Sequence, residues 1–325
     1  MEYVALLRDL DALLRETFML WDPGWVTFNW RGYTYDHIQR VRGLALTLAA
    51  GEGADLIVVE LAALLHDITK PFDGEILVDA EGQRVFDERG YWQNETRDPP
   101  RRNHVVDLYE ELGLRGLLHN ESGALLAQAL LQERDVPSPL IERVAEAIRE
   151  HLRPSDAASK EAQCLYDADT IDANIGLPAF VRNIYINLHF HDRRKSPETP
   201  PIDQRLTDHP LGFLEDYVRE NLPRWVQGKR QDFPPRLCTA SARKLADERL
   251  VRLEGVFADL AAELSYFDTT ERQGRLAVVL HYMHHRSDPS IAQETAALAN
   301  NGLAKRSPVA RTLVEQIQRE IDGEI

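Results

Sequence analysis

The spacing of apolar residues constrains the fold of this chain more than any other feature, because it follows the α-helical repeat along most of the sequence. Residues 34–50 place His37, Val41, Leu44 and Leu48 on one face, the spacing of an amphipathic helix. The same repeat continues in four later segments, which are 55–69, 139–152, 240–265 and 307–321. The sequence therefore predicts an all-α fold.

Start and stop signals bound the first two predicted helices. Gly51-Glu52-Gly53 indicates a helix-terminating turn and not a phosphate-binding loop, because no strand precedes it and no GK[ST] follows. Asp55 is suited to cap the next helix, and Pro71 is suited to stop it. That helix, 55–69, is apolar around most of its circumference and is predicted to be buried.

Two segments depart from the helical repeat. Residues 75–86 alternate weakly around Glu81-Gly82, a pattern typical of a small surface hairpin. Residues 192–210 are predicted to form a loop at a seam of the molecule, because prolines interrupt them. These prolines are Pro197, Pro200, Pro201 and Pro210.

Charge and cysteine content exclude several classes of protein. A net charge of −15 disfavours binding to extended nucleic acid, which requires a basic surface. No apolar run approaches the roughly 18 residues that span a bilayer, and acidic residues near the amino terminus do not fit a secretion signal. Cys164 and Cys238 lie far apart, which fits a reducing compartment. We therefore expect a cytoplasmic protein without a membrane partner.

Histidines and aspartates interrupt helix faces that are otherwise apolar. Burying such a group costs several kcal/mol unless a partner compensates for the lost water. A divalent metal ion is a suitable partner, because it accepts neutral imidazole nitrogens and ionised carboxylate oxygens together. The residues concerned are His37, His66, Asp67, His119, His151, Asp167, Asp169 and Asp172. Their number favours a metal-binding cluster over a set of unrelated core histidines.

The order His, then His-Asp, then Asp, with the segment LLHDITKP at 64–71, resembles the HD superfamily of metal-dependent phosphohydrolases. The chain is similar in particular to its small bacterial YedJ/YpgQ-like branch. Four further motifs carry this resemblance: HxxRV at 37–41, HxxSxA at 119–124, DADxxD at 167–172 and TxxxRxLAxxR at 239–249. The resemblance covers about residues 30–265 and implies an HD-domain helical bundle.

The resemblance also implies the metal ligands. The primary ligands would be His37, His66, Asp67 and Asp169. His119 and His151 match additional histidines that hold a second ion in some branches and lie near the substrate phosphate in others, and Asp67 would bridge two ions. One or two divalent ions are implied, with manganese, nickel, cobalt, magnesium and iron as candidates.

Three cations are candidates for the substrate phosphate, and each has an exposed surface position as its alternative. Lys70 follows Asp67 by three residues, which would place both on the same helical face. The other two are Arg40 and Arg182. Asp167 and Asp172 are predicted to support the Asp169 segment by hydrogen bonding.

The histidines leave two questions of assignment. The segment between Lys70 and His119 is longer than in compact relatives, so His104 competes with His119 for a place in the site. Only His119 precedes the SxA pattern, which favours it. The remaining histidines suggest a second metal site, but surface or packing roles are predicted for them instead; they are His189, His191, His281, His284 and His285.

The predicted organisation is an HD-type catalytic domain at 1–265, with an insertion at about 72–103 and a packed helical extension at 266–325. The predicted function is hydrolysis of a phosphate ester of a nucleotide or another small phosphorylated metabolite by a metal-activated water. Two alternatives are a di-iron oxygenase of the HD type and a nucleotide-binding regulatory HD module. The oligomeric state is open, with a homodimer among the alternatives.

Overall fold

The computed structural model describes residues 3–24, 26, 29–88, 90–194, 200–268, 270, 271 and 273–325, with the side chains of 192–194 left out. The described chain is helical apart from one small antiparallel sheet, which confirms the all-α prediction. It divides into two compact units, Met1–Asp169 and Thr170–Ile325. This division differs from the predicted boundary at residue 265, and the assignment of 1–265 as one catalytic domain stays a prediction.

The first unit is built around a buried apolar helix. Its helices are α1 (Tyr3–Phe18), α2 (Arg31–Glu52), α3 (Leu56–Leu65), α4 (His104–Glu111), α5 (His119–Gln132), α6 (Ser138–Glu150) and the start of α7 (Lys160–Asn174). Helix α3 packs against α2, α5 and α6, and seven of its ten residues are buried. Burial of this apolar helix stabilises the arrangement and fixes the position of the residues that follow it.

Capping residues set the end of α2 and the start of α3. Gly53 ends α2 in the left-handed region, at φ 68°, and its N–H donates to the carbonyl of Ala49. The side chain of Asp55 accepts from the backbone N–H groups of Ile57 and Val58, so this predicted cap is confirmed.

Helix α3 ends at Leu65, one turn before the predicted end at residue 69. Pro71 explains the difference, because its ring would clash with the carbonyl of Asp67, four residues earlier. The chain tightens instead, and the N–H of Lys70 donates to the Asp67 carbonyl over three residues, leading into a short 3₁₀ turn at Lys70–Phe72. His66 and Asp67 therefore lie in a turn after the helix.

The predicted surface hairpin is present inside a longer insertion. Strand β1 (Asp73–Ile76) pairs antiparallel with β2 (Asn94–Thr96). Val78 bridges to Arg84 around a turn in which the N–H of Gly82 donates to the Asp79 carbonyl. The insertion thus begins shortly after the turn that holds His66 and Asp67.

The second unit begins within α7 and is also helical. Its further helices are α8 (Leu177–Arg194), α9 (Ile202–Asp208), α10 (Pro210–Asp216), α11 (Leu222–Asp232), α12 (Ala240–Glu263), α13 (Arg275–His284), α14 (Ile291–Asn300), α15 (Gly302–Arg306) and α16 (Pro308–Ile321). A five-residue π-helical turn, Tyr217–Asn221, joins α10 to α11. Helix α16 packs against α8, α13, α14 and α15.

The loop predicted for 192–210 is largely wrong. Helix α8 continues to Arg194, and α9 occupies Ile202–Asp208. Proline starts helices in this segment, because Pro201 precedes α9 and Pro210 is the first residue of α10, where its missing N–H costs nothing. Residues 195–199, which include Pro197, lie outside the described part of the chain.

None of the described helices combines the length and the apolar composition that crossing a membrane requires.

Candidate metal centre

Six predicted ligand residues lie together in the first unit, although they come from five separate elements. His37 is on α2, His66 and Asp67 follow α3, His119 is the first residue of α5, His151 follows the last residue of α6, and Asp169 is on α7. We call these six residues the HD cluster. Their side chains are buried apart from Asp169, which is 20% exposed.

Asp67 lies at the middle of the HD cluster, and its two oxygens face different pairs of imidazoles. Oδ2 is 4.0 Å from Nε2 of His37 and 3.7 Å from Nε2 of His66. Oδ1 is 3.5 Å from Nε2 of His119 and 3.8 Å from Nε2 of His151. These separations exceed hydrogen-bond length but suit atoms that share an ion between them.

Asp169 closes one side of the HD cluster. Its Oδ1 is 3.0 Å from Nε2 of His37 and 4.0 Å from Nε2 of His66. Asp169 thus faces the same two imidazoles as Oδ2 of Asp67. The sequence preference for Asp169 over Asp167 is consistent with this position.

The rings of His66 and His151 are oriented by backbone carbonyls. Nδ1 of His66 donates to the carbonyl of Ala63 at 2.8 Å, and Nδ1 of His151 donates to the carbonyl of Ile148 at 2.6 Å. The proton therefore lies on Nδ1, and Nε2 carries a lone pair directed at Asp67. Both Nε2 atoms are buried without a hydrogen-bond partner. A buried acceptor without a donor is costly, and a metal ion would satisfy both.

His119 is oriented by a carboxylate that no sequence pattern indicated. Its Nδ1 donates to Oδ2 of Asp73 at 2.6 Å, which leaves the lone pair on Nε2. Nζ of Lys70 lies 3.2 Å from this Nε2 and 4.0 Å from Oδ2 of Asp73. Asp73 is the first residue of β1, so the insertion supplies a side chain to the site.

The electrostatics of the HD cluster favour the ligand forms of its residues. Burial alone would raise the pKa of Asp67, but the neighbouring His66, Lys70 and His119 side chains hold it well below its usual range. Burial, together with the neighbouring His66 ring, lowers the pKa of His151 to about 3. Asp67 is therefore ionised and His151 neutral at pH 7, which are the states that bind metal ions.

Two groups of ligand atoms are compact enough to hold an ion. His37, His66 and Asp67 each offer an atom within 4.8 Å of the others, and Asp67, His119 and His151 do the same. Imidazole nitrogen with carboxylate oxygen is a donor set for first-row divalent metals. The HD cluster can therefore hold a divalent metal ion, and the arrangement does not identify which one.

His104, the alternative to His119, lies at the surface, whereas Arg40 is buried next to an aromatic ring. His104 is exposed at the start of α4, where its Nε2 pairs with Oε2 of Glu133 at 2.7 Å, and it does not contact the HD cluster. Arg40 is buried, with its guanidinium carbon 5.4 Å from the centre of the Tyr33 ring. Tyr33 stacks in turn with His37, at 6.3 Å between ring centres. Burial excludes the exposed position that was the alternative for Arg40, and its contact with a substrate phosphate stays a prediction.

Lys70 reaches the HD cluster by a route different from the predicted one. It lies in the 3₁₀ turn and not on a continuous helix with Asp67, yet its ammonium group contacts His119. Asp167 and Asp172 are buried on α7, and Nη1 of Arg182 donates to the carbonyl of Ala173 in the second unit. The chemical roles given to these residues stay predictions.

A cavity of about 300 Å³ lies between the insertion and the start of α5. Its lining includes Phe72, Asp73, Trp92, Asn94, Tyr109 and Leu118. Phe72 and Tyr109 stack at 3.8 Å between ring centres. Both polar atoms of the Asn94 side chain are buried without a hydrogen-bond partner. Asp73 thus borders this cavity and also orients His119.

The fold and the HD cluster define a class, an all-α protein with a buried cluster of imidazoles and carboxylates that can hold a divalent metal ion. Residues 34–174, which contain all six residues of the cluster, match the model of the HD domain family. This segment of the chain is an HD domain, and the predicted resemblance to that superfamily is confirmed here. The match to the family ends at residue 174, so it does not extend to helices α8–α16.

Several solved structures resemble the chain at low sequence identity. One is a predicted HD superfamily hydrolase from an uncultured Thermotogales bacterium, with 22% identity, coverage of 79% of this chain and 92% of that chain, and a TM-score of 0.44. Another is YpgQ of Bacillus subtilis, with 19% identity, 82% and 100% coverage, and a TM-score of 0.40. YpgQ has also been solved in complex with ADP, with 17% identity, 81% and 97% coverage, and a TM-score of 0.39. No curated protein matches the chain significantly.

Proposed function

We propose that this protein is a metal-dependent phosphohydrolase that acts on a nucleotide or another small phosphorylated metabolite. The observation that carries the proposal is the position of Asp67, whose two oxygens each face a separate pair of imidazoles. A carboxylate in this position is suited to bridge two ions, and paired ions recur in enzymes that displace groups at phosphorus.

The residues of the HD cluster would divide between two ions. His37, His66 and Asp169 would hold one with Oδ2 of Asp67, and His119 and His151 would hold the other with Oδ1. Bound divalent ions activate water as a nucleophile and polarise phosphoryl oxygens. The buried walls of the cluster restrict access of bulk water, which strengthens electrostatic interactions inside the site.

Lys70 supports the substrate's phosphate in this proposal. Its ammonium group lies 3.2 Å from Nε2 of His119, and its side chain is 21% exposed, so Lys70 reaches both the HD cluster and solvent. When Nε2 of His119 binds an ion, Lys70 loses this acceptor, and a phosphate oxygen is a replacement of opposite charge. Phosphoryl transfer depends mainly on such positioning and charge neutralisation.

The cavity beside Asp73 is suited to the organic part of the substrate. Aromatic side chains line it, and Asn94 adds a buried side-chain amide whose nitrogen and oxygen have no hydrogen-bond partner. Such a lining fits a planar group with hydrogen-bonding edges, as in a nucleobase. The volume of about 300 Å³ fits a small molecule and not a polymer.

Substitution of Asp67 by alanine tests the proposal. We expect release of phosphate from a panel of nucleotides, ADP included, and sugar phosphates in the presence of Mn²⁺, Co²⁺ or Ni²⁺. Asp67→Ala should lose bound metal and lower kcat/KM by more than about 100-fold, since even outer-shell partners account for 10- to 100-fold. Asp107→Ala, an exposed carboxylate paired with Arg102, is the matched control and should keep both. Full metal content and activity in Asp67→Ala would refute the proposal.

A second candidate function is a di-iron oxygenase. Four imidazoles and two carboxylates in one buried cluster are also a donor set for two irons. Elemental analysis of protein purified without added metal separates the candidates. About two irons per chain with an oxygen-dependent change in absorption would favour the oxygenase, whereas tight nucleotide binding without turnover with any metal would favour a regulatory module.

A further inference from the structure

A second group of possible ligands lies in the second unit, at the end of helix α13. His281 and His285 are four residues apart, so their rings stack on one side of the helix end, 4.1 Å between centres and 24° from parallel. His281 is 16% exposed and His285 is 50% exposed. Nδ1 of His285 donates to the carbonyl of His281 at 2.8 Å, which leaves the lone pair of His285 on Nε2.

Helix α14 adds a carboxylate to these two rings. Glu294, in the first turn of α14, has Oε2 at 2.8 Å from Nε2 of His281 and at 4.0 Å from Nδ1 of His285. The three side chains each offer a ligand atom within 4.8 Å of the others. Donor atoms of a tetrahedral zinc shell lie about 3.5 Å apart, given metal–ligand bonds of about 2.0–2.2 Å. To bind an ion, the exposed His285 ring would turn so that its Nε2 lone pair faces the ion, and Nε2 of His281 would exchange its hydrogen bond to Glu294 for the ion.

The helices that carry these ligands are held together by their neighbours in sequence. The hydroxyl of Tyr282, next to His281, is 2.8 Å from Oγ1 of Thr295, next to Glu294, and both are buried. Ser290 caps α14 by accepting from the N–H of Gln293. The positions of His281 and Glu294 are therefore fixed before any ion binds, which lowers the entropic cost of binding.

We propose that His281, His285 and Glu294 bind one transition-metal ion such as Zn²⁺, separately from the HD cluster. Two imidazoles and one carboxylate are a known three-residue protein ligand set for zinc, with the fourth position open. Imidazole donors disfavour Mg²⁺ and Ca²⁺, which prefer oxygen. The bound ion would join the end of α13 to the start of α14.

Equilibrium dialysis of the metal-free, full-length protein against Zn²⁺ tests this site. His285→Ala and Glu294→Gln should each bind one zinc ion fewer per chain than the unmodified protein. Glu294→Gln keeps the shape of the side chain and its hydrogen bond to His281, so loss of fold does not explain its result. His284→Ala, an exposed histidine at the same helix end, is the matched control and should bind as much zinc as the unmodified protein.

A spectroscopic readout separates this site from the HD cluster. In Asp67→Ala protein, added Co²⁺ should still give the visible absorption of a low-symmetry site, and Glu294→Gln should abolish it. The result is independent of phosphohydrolase activity, so failure of the proposed function leaves this test intact. Unchanged zinc content in both His285→Ala and Glu294→Gln, or an equal loss in His284→Ala, would overturn the proposal.

Discussion

At His119, two contacts decide which ring nitrogen is available to an ion. Asp73 accepts from Nδ1 and so fixes the proton there, while Nε2 faces both Lys70 and Oδ1 of Asp67. A carboxylate behind a ligand histidine also raises the basicity of the ring. Asp73 thus acts on the HD cluster through His119.

Substitution of His119 separates its role from that of His104. His119→Ala should lower divalent metal affinity and phosphatase kcat/KM by at least about 10-fold, because it removes a buried nitrogen that faces Asp67. His104→Ala should change neither, since it removes an exposed pair with Glu133. Metal titration and steady-state kinetics on both variants provide the comparison. Equal losses in the two variants would contradict the assignment of His119 to the site.

Residues of the HD cluster were predictable because polar groups on apolar helix faces require a partner. The same reasoning could not find Asp73, which lies in an insertion without helical repeat. It placed Lys70 near the cluster on a wrong premise, since the helix ends before Lys70 is reached. Only the three-dimensional path of the 3₁₀ turn shows how Lys70 approaches His119.

At the scale of elements, the connection before α8 depends on a glycine. Gly176 has φ +122°, a conformation that other residues rarely adopt, and a side chain there would collide with the buried carboxylate of Glu320. That carboxylate accepts from the N–H of Leu177 and pairs with Arg252 at 2.6 Å. The start of α8 is thereby joined to α12 and α16 within the second unit.

Alanine at this glycine should destabilise the protein. Gly176→Ala is expected to lower the free energy of unfolding by about 2 kcal/mol or more, because it adds backbone strain and displaces a buried ion pair. Gly228→Ala in α11 is the matched control, since nothing lies near its added methyl group. It should raise stability by about 0.5–1 kcal/mol. Urea denaturation of both variants measures the difference, and equal stabilities would contradict the argument.

Element boundaries followed from the sequence where a cap or breaker acts locally. The cap at Asp55 and the helix end at Gly53 are examples. The predicted helices at 139–152, 240–265 and 307–321 correspond to α6, α12 and α16. The prolines of 192–210 misled the prediction, because proline suits both a loop and the first turn of a helix. Only tertiary packing distinguishes those two uses, as with Leu206 of α9, which is fully buried.

At the scale of the whole molecule, every residue of the HD cluster belongs to the first unit, Met1–Asp169. An ion bound there stabilises the folded state by about 2.7 kcal/mol at 100 times its dissociation constant. Because five elements contribute ligands, this stabilisation should extend through α2, α3, α5 and α6.

Hydrogen exchange measures where that stabilisation acts. Addition of Mn²⁺ should slow amide exchange in α2, α3 and α6 more than in α12 and α16, which carry none of the ligand residues. Asp67→Ala protein should show no such slowing. Uniform slowing over both units, or none in the unmodified protein, would contradict binding at the HD cluster.

Backbone carbonyls hold the rings of His66 and His151, and this has a consequence for how the site tolerates change. The acceptors belong to Ala63 and Ile148 as main-chain atoms, so replacing either side chain leaves the acceptor in place. A point mutation at Ala63 or Ile148 therefore does not change the tautomer of His66 or His151. The tautomer of His119, in contrast, depends on the Asp73 side chain. Substitution of Asp73, in evolution or by design, can therefore change the tautomer of His119 while those of His66 and His151 persist. His119 is thus the ligand at which the preference of the site for an ion is most easily changed.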